Sequence, residues 1–180
     1  SMLSLQVAEL AVAWRSRGCV GFDLAGEEAG HPARHHLDAF QLVKRMNFSI
    51  TIHAGESFGP ESIWQALQYC GAHRIGPGTR LVEDMVVHDG RVLSLGPLAQ
   101  YVLDHRVPLE VCLSSNVHTG ATRSLDEHPF PRFPNRVADL TASHPEHVWC
   151  ADITYVKLLR EFVYLAVVMD LHTRKVLGVA

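Results

Sequence analysis

Residues able to do chemistry cluster in short segments of the first two-thirds of the chain. Asp23 and Gly26 follow one apolar run, His53 and Glu56 follow the next, and small or polar residues at 76–78 and 114–116 follow two more. An imidazole and a carboxylate three residues apart can join a metal ligand to a general acid. Glycines beside such groups let a ligand approach the backbone closely. The pattern therefore predicts an enzyme site.

Each of these residues also has a purely structural interpretation. His53 is then a strand-end histidine that donates a hydrogen bond, and Glu56 is a carboxylate stabilised by the dipole of the helix that follows. The histidines at 31, 35 and 36 have a spacing that weak metal sites use, although a solvated helix start explains them more simply. Residue types alone leave both interpretations open.

The elements that must position these residues alternate between strands and helices. Strands are predicted at 19–24, 48–53, 73–76 and 108–113, and helices at 5–17, 35–46, 60–70 and 96–105. Such alternation is typical of a parallel sheet, in a barrel or an open α/β fold. In both, the loops at the carboxyl ends of the strands form the binding site. The polar segments all follow those ends, so we expect them to converge.

The pattern changes near residue 130. Residues 128–135 hold three prolines, which disfavours a regular element and predicts a junction. Strand-like runs at 147–156, 162–171 and 175–180, with short connections, then predict an antiparallel meander. The predicted organisation is a domain over 1–130, a junction over 131–146 and a second fragment over 147–180.

Composition narrows the class of protein. Of the 180 residues, 47% are hydrophobic and 19% charged, which is typical of a globular chain, and a net charge of −3 provides no global basic field for nucleic acid. The longest apolar run, 162–169, is far shorter than the roughly 20 residues of a membrane-spanning helix. Four cysteines without a CxxC pair fit reduced thiols, and no signal peptide is recognisable, so we expect a cytoplasmic protein.

Several motifs resemble the adenosine deaminase family over about residues 3–130. They are GFDLAGEE, ITIHAGES, HRIGPG and LEVCLSSN, followed by HTGA and EHPF. The resemblance implies a (β/α)8 barrel, of which this chain would supply about four βα units, and zinc-dependent hydrolytic deamination of adenosine or a related purine nucleoside. It also implies that His53 is a zinc ligand, Glu56 protonates a purine ring nitrogen, and Gly26 offers its backbone N–H to the purine, with Asp23 in a supporting role.

The sequence departs from that family pattern at the catalytic positions. Pro77 stands where the Arg-Ile-Gly-His-Gly motif has a histidine, and proline has neither a titratable group nor an N–H. The His-x-His pair and the aspartate pair that complete the family's zinc site have no counterparts. Catalytic zinc is usually held by three protein ligands and a water. The expectation is therefore a deaminase by descent that retains no zinc and is inactive.

A second resemblance begins at about residue 135. The segments NRVADLTASHPEHVWCADITYV and FVYLAVVMDLHTRKVLGVA are similar to the start of the catalytic domain of integrase-type transposases from insertion sequences. The resemblance implies a ribonuclease H-like fold that opens with three antiparallel strands, three carboxylates that bind two divalent metals, and DNA as partner. Asp152 matches the first carboxylate, whereas Asp170 matches a structural or turn residue at the end of the second strand. One carboxylate does not hold two metals, so DNA cleavage is not expected.

The two resemblances together predict a chimeric chain. It would join a partial barrel of the α/β class to a partial ribonuclease H-like sheet. Unpaired strand edges in a partial barrel further predict self-association. A purine deaminase would bind zinc and release ammonia from adenosine, a transposase fragment would bind DNA in a salt-sensitive way, and an inactive remnant would do neither.

Overall fold

The computed structural model describes residues 2–133, 149–157, 162–170, 173 and 176–179. It divides into two compact units, residues 1–133 and 134–180, which are described separately. The first unit contains α1 (Met2–Ala13), β1 (Gly21–Leu24), α2 (Leu37–Arg45), β2 (Ser49–Ala54), α3 (Pro60–Gln68), β3 (Arg74–Pro77), β4 (Met85–His88), β5 (Arg91–Leu95), α4 (Pro97–Asp104) and α5 (Leu113–His118). Short 3-10 helices lie at Arg15–Arg17, Ala33–His36, Thr79–Asp84 and Phe130–Arg132.

A parallel three-stranded sheet, in the order β1-β2-β3, carries the core. Leu24 pairs with Ile52, and Ile52 pairs with Ile75. Because side chains alternate along a strand, one face of the sheet is apolar and buried with residues of α2 and α3, while Asp23 and His53 lie on the other. The buried set includes Phe22, Phe40, Val43, Ile50, Ile52, Ile63 and Ile75. The predicted parallel α/β architecture is confirmed for this part of the chain.

The predicted stop residues lie shortly after helix ends, although α1 ends earlier than predicted, at Ala13, and Gly18 follows the 3-10 helix Arg15–Arg17. Gly18, Asn47 and Gly71 all have positive φ angles, of 97°, 49° and 69°. A left-handed residue after the last turn ends a helix, and glycine and asparagine adopt that conformation at the least cost. Pro60 lies in the first turn of α3, where its missing N–H costs nothing.

The predicted strand at 108–113 is wrong over most of its length. Only Leu109 forms a bridge, parallel to Ile75, while the N–H of Glu110 donates to the carbonyl of Ile75 at 2.8 Å. The chain then enters α5 at Leu113, and the N–H of Asn116 donates to the carbonyl of Cys112 at 2.9 Å. The polar run that follows thus belongs to a short helix rather than to a strand end.

A hairpin formed by β4 and β5 was not predicted, although its turn was. Asp89 and Gly90 have φ angles of 48° and 74°, as a type I′ turn requires. Asp84 joins this hairpin to α4, because its carbonyl accepts the N–H of Gly96 at 2.6 Å and its Oδ2 accepts the N–H of Ala99 at 2.7 Å. This side-chain cap fixes where α4 begins.

The second unit contains β6 (Trp149–Lys157), β7 (Phe162–Asp170) and β8 (Val176–Val179), in an antiparallel sheet ordered β6-β7-β8. The predicted antiparallel meander is therefore confirmed, whereas its assignment to a ribonuclease H-like fold remains a prediction. Most of the predicted junction over 131–146 lies outside the described residues. Among those described, no helix has the length and hydropathy to cross a membrane.

Candidate active site

The carboxyl end of β2 holds the two residues that the motifs singled out. Ile52 and Ala54 point into the core, so alternation places His53 on the opposite face. Gly55 then turns the chain with φ of 75°, and a Cβ at this position would lie 2.6 Å from Cδ1 of Ile63. The turn brings Nε2 of His53 to 3.3 Å from Oε2 of Glu56. The predicted pair is thus in direct contact.

Hydrogen bonds hold the Glu56 side chain in place. Its Oε1 accepts from Nδ2 of Asn116 and from the hydroxyl of Thr119, both at 2.9 Å. The hydrogen bond to His53, followed by those from Asn116 and Thr119, lowers the pKa of Glu56. The same contact with Glu56 raises the pKa of His53. The pair therefore favours an imidazolium and a carboxylate, so Glu56 as it stands accepts hydrogen bonds rather than donating a proton.

Glu28 anchors the turn that carries this pair, and the sequence reasoning missed it. Its side chain is buried, and its carboxylate accepts the N–H groups of Gly55 at 2.6 Å and of Glu56 and Ser57 at 2.9 Å. The hydroxyl of Ser62 donates to it as well. Successive backbone N–H groups at a turn form a natural anion site. The available signal was such a turn before a helix, with a Glu-Glu pair in the preceding loop.

Two clefts adjoin the His53–Glu56 pair. We call the first the Gly26 cleft; it has a volume of about 560 Å³ and is lined by residues that include Gly26, His31, Arg34, His36, His53 and Gln65. We call the second the Glu56 cleft; it has a volume of about 580 Å³ and is lined by residues that include Glu56, Thr79, Arg80, Thr119, Arg123 and Arg132. The structure brings Gly26 together with His53, and His53 together with Glu56. Gly26 and Glu56 themselves line different clefts.

The remaining predicted residues lie at the edges of this site or outside it. Asp23 is on the same face of the sheet as His53, and desolvation, followed by the nearby carboxylate of Glu110, raises its pKa. Pro77 is buried at the end of β3, in register with Ala54. Asp152 lies in β6 of the second unit, opposite Val167.

The described residues do not fit a catalytic zinc by themselves. Across 2–133 and the described strands, no three His, Cys, Asp or Glu side chains are grouped so as to hold a metal ion. His53 offers one imidazole, and its Nε2 faces Glu56. The histidines at 31 and 36 have other partners: Nε2 of His31 lies 3.9 Å from Glu27, and Nδ1 of His36 is hydrogen-bonded to Ser4. Three protein ligands are the usual minimum for catalytic zinc.

Relatives with known names match the first unit. The protein named adenosine deaminase 1 from Streptomyces coelicolor is 58% identical over 126 residues, which are 70% of this chain and 32% of that protein. The adenosine deaminase of Mycobacterium leprae is 53% identical over 128 residues, or 71% of this chain and 35% of that protein. The chain thus spans about a third of the length of these curated relatives.

Solved structures agree with the fold. The adenine deaminase from Arthrobacter aurescens superposes with a TM-score of 0.61 at 28% identity, over 71% of this chain and 36% of that one. An amidohydrolase from Burkholderia ambifaria, solved with bound Zn, gives a TM-score of 0.59 at 17% identity, over 73% of this chain and 34% of that one. The latter supports the fold alone.

The family model described as adenosine deaminase matches residues 1–144, which extends past the predicted limit of about residue 130. This match covers most of the chain and includes the strand ends that hold Gly26, His53 and Glu56. The chain belongs to the adenosine deaminase family.

Proposed function

We propose that the first unit recognises the 6-aminopurine of an adenine nucleoside at the carboxyl ends of β1 and β2, and that the chain releases no ammonia from it. In this proposal Gly26 offers its backbone N–H to the base, and the Glu56 carboxylate accepts a hydrogen bond from the exocyclic 6-amino group. His53 is the descendant of a zinc ligand. The observation that carries the proposal is the His53–Glu56 pair, at 3.3 Å, held between two clefts.

The shape and polarity of the site support binding of a small polar ligand. Each cleft is within the range of about 300–1,000 Å³ that small-molecule sites occupy. Arg34 lines the Gly26 cleft and adds a positive charge to it. The relatives that resemble this chain are named for adenosine and for adenine, and both compounds contain a 6-aminopurine. That common chemistry defines the proposed ligand class.

The identity of residue 77 argues against turnover. Pro77 occupies the position of the family's catalytic histidine and supplies neither a proton nor an N–H. His53 alone among the described residues descends from the zinc ligands, so zinc retention is not part of the proposal.

Calorimetric titration with adenosine, paired with an ammonia assay, tests both halves of the proposal. We expect saturable binding, and no ammonia release with or without added zinc. Glu56→Ala should weaken binding at least tenfold, since loss of a charged hydrogen-bond partner costs about 1.5–3 kcal/mol. Pro77→His should remain inactive, because it adds one imidazole and does not complete a metal site.

Matched variants make the result specific. His88→Ala changes an exposed histidine at the end of β4 and should leave adenosine binding unaltered. Zinc-dependent ammonia release by the unmodified chain would refute the inactivity. Equal binding by the unmodified chain and Glu56→Ala would refute the proposed site.

The second unit carries no further functional proposal. The family model ends at residue 144, and the relatives named above are deaminases and an amidohydrolase. The transposase resemblance, with Asp152 as its first carboxylate and DNA as partner, therefore remains a prediction from sequence. Binding of duplex DNA that weakens steeply with added salt would support it.

A further inference from the structure

Asn116 and His128, two buried polar residues with no assigned role, connect to Glu56 through hydrogen bonds. Asn116 is 2% exposed and His128 is 3% exposed. Nδ2 of Asn116 donates to Oε1 of Glu56 at 2.9 Å, and Oδ1 of Asn116 lies 3.2 Å from Nε2 of His128. Buried polar groups of this kind are costly unless they are fully paired. Here the hydrogen bonds form a chain from His128 through Asn116 to Glu56 at the candidate site.

The direction of every bond in this line is set by one backbone group. The N–H of Phe130 donates to Nδ1 of His128 at 3.1 Å. A ring nitrogen that accepts a hydrogen bond carries no proton, so the proton of the neutral imidazole is on Nε2. Nε2 must then donate to Oδ1 of Asn116. Burial also lowers the pKa of His128, which is consistent with a neutral ring.

The orientation of the Asn116 carboxamide follows from that tautomer. Rotating the amide by half a turn would place its NH2 against the N–H of His128 and its oxygen against the carboxylate of Glu56. Both contacts would be repulsive, and burial keeps water from relieving them. The amide therefore presents a donor to Glu56 Oε1, which leaves Oε2 facing His53.

We propose that Asn116 and His128 are positioning residues for Glu56, with His128 fixing the Asn116 amide so that the amide holds Oε1 and directs Oε2 toward His53 and the ligand. The inference rests on the proposed function only in so far as Glu56 meets a ligand. The segment between α5 and the 3-10 helix at Phe130–Arg132 would thereby set the side-chain orientation of Glu56, which follows β2. Neither residue touches the reacting atoms.

Two substitutions of His128 separate its two ring nitrogens. His128→Gln keeps a donor near the position of Nε2 and loses the acceptor for Phe130. His128→Asn keeps an acceptor near Nδ1 and loses the donor to Asn116. We expect the carboxyl carbon resonance of Glu56, recorded by nuclear magnetic resonance at neutral pH, to move in His128→Asn and to stay close to its native position in His128→Gln. A purely structural role would affect both variants alike.

Further measurements complete the test. Long-range nitrogen correlations of the unmodified protein should show a proton on Nε2 and none on Nδ1 of His128. Asn116→Ala should shift the Glu56 resonance and weaken adenosine binding about tenfold, whereas His88→Ala should change neither. A proton on Nδ1, or equal Glu56 shifts in the two His128 variants, would overturn the inference. Absence of adenosine binding by the unmodified chain would instead refute the proposed function, and the Glu56 resonance would still decide the positioning role.

Discussion

At the scale of single residues, the Glu28 carboxylate holds the turn between β2 and α3. It accepts hydrogen bonds from three backbone N–H groups and a hydroxyl at the turn that follows His53 and contains Glu56. Gly55 is buried and Glu56 half-buried, so water has little access to their N–H groups if this carboxylate is removed. The turn is thus held by a side chain from another loop rather than by its own sequence.

Replacing Glu28 should therefore destabilise the first unit. Glu28→Ala removes the acceptor of several charge-assisted hydrogen bonds, so we expect a loss of about 3 kcal/mol in the free energy of unfolding, measured with urea. Glu27→Ala is the control, because the Glu27 side chain is 77% exposed and should change stability little. Equal losses in the two variants would show that Glu28 does not anchor the turn.

His128 should make stability depend on pH. Its pKa is lowered in the folded state by burial, so the unfolded chain binds more protons below the ordinary histidine value of about 6.5. Stability is then fully present above that value and falls as pH drops toward the folded pKa. Urea unfolding at a pH above about 6.5 and at a pH below the folded pKa of His128 measures this loss. We expect the free energy of unfolding to fall less between the two pH values in His128→Gln than in the unmodified protein. Parallel curves for the two proteins would contradict this.

Motifs located some of these residues and not others. His53, Glu56 and Gly26 were found because each lies in a short local motif. Glu28, Asn116 and His128 also lie in quoted motifs, but their roles could not be predicted there, because their partners are 12 to 60 positions away in the chain. Only the folded arrangement shows which donors and acceptors meet.

At the scale of elements, hydrophobic periodicity and stop residues predicted α2 to α4 and β1 to β3 closely, whereas α1 spans Met2–Ala13 instead of 5–17. The β4–β5 hairpin was not predicted, and at 108–113 an apolar run predicted a strand where the structure has a single bridge followed by α5. Local propensity does not decide such a case, because the contacts that Asn116 and Thr119 make with Glu56 come from a distant part of the chain. Tertiary hydrogen bonds favoured the helix.

Two glycines with nearly the same φ angle allow the cost of the left-handed backbone to be distinguished from the cost of a steric clash. Gly55 and Gly90 have φ of 75° and 74°, but a Cβ at Gly55 would meet Ile63 at 2.6 Å, whereas nothing lies within 4 Å at Gly90. Gly90→Ala should cost about 1–2 kcal/mol for the left-handed conformation alone. Gly55→Ala should cost clearly more in urea unfolding, because α3 must also move. Equal costs would show that the β2–α3 turn is not tightly packed.

At the scale of the whole molecule, the chain belongs to one family over most of its length. Composition and alternation predicted the α/β class, and the family model confirmed the deaminase relationship over residues 1–144. The sequence predicted unpaired strand edges but not which strands would form them. In the described structure β1 is an edge strand, and Val20 beside it is 81% exposed.

An unpaired edge beside an exposed apolar residue predicts self-association. We expect light scattering to show species larger than a monomer, and Val20→Lys to shift the distribution toward the monomer, because a charge at an edge opposes strand pairing. Leu125→Lys changes an exposed apolar residue away from the sheet and should have a smaller effect. A monomeric unmodified chain would show that the edge is not available for pairing.

The central claim is that an adenine nucleoside binds beside His53 and Glu56. Amide resonances followed during titration of the labelled chain with adenosine test it most directly, because they report where the ligand lies. We predict saturable shifts at Gly26, Gly55 and Glu56, and none at Gly90 on the β4–β5 turn. Saturable shifts confined to other residues, or no shifts at all, would contradict the account.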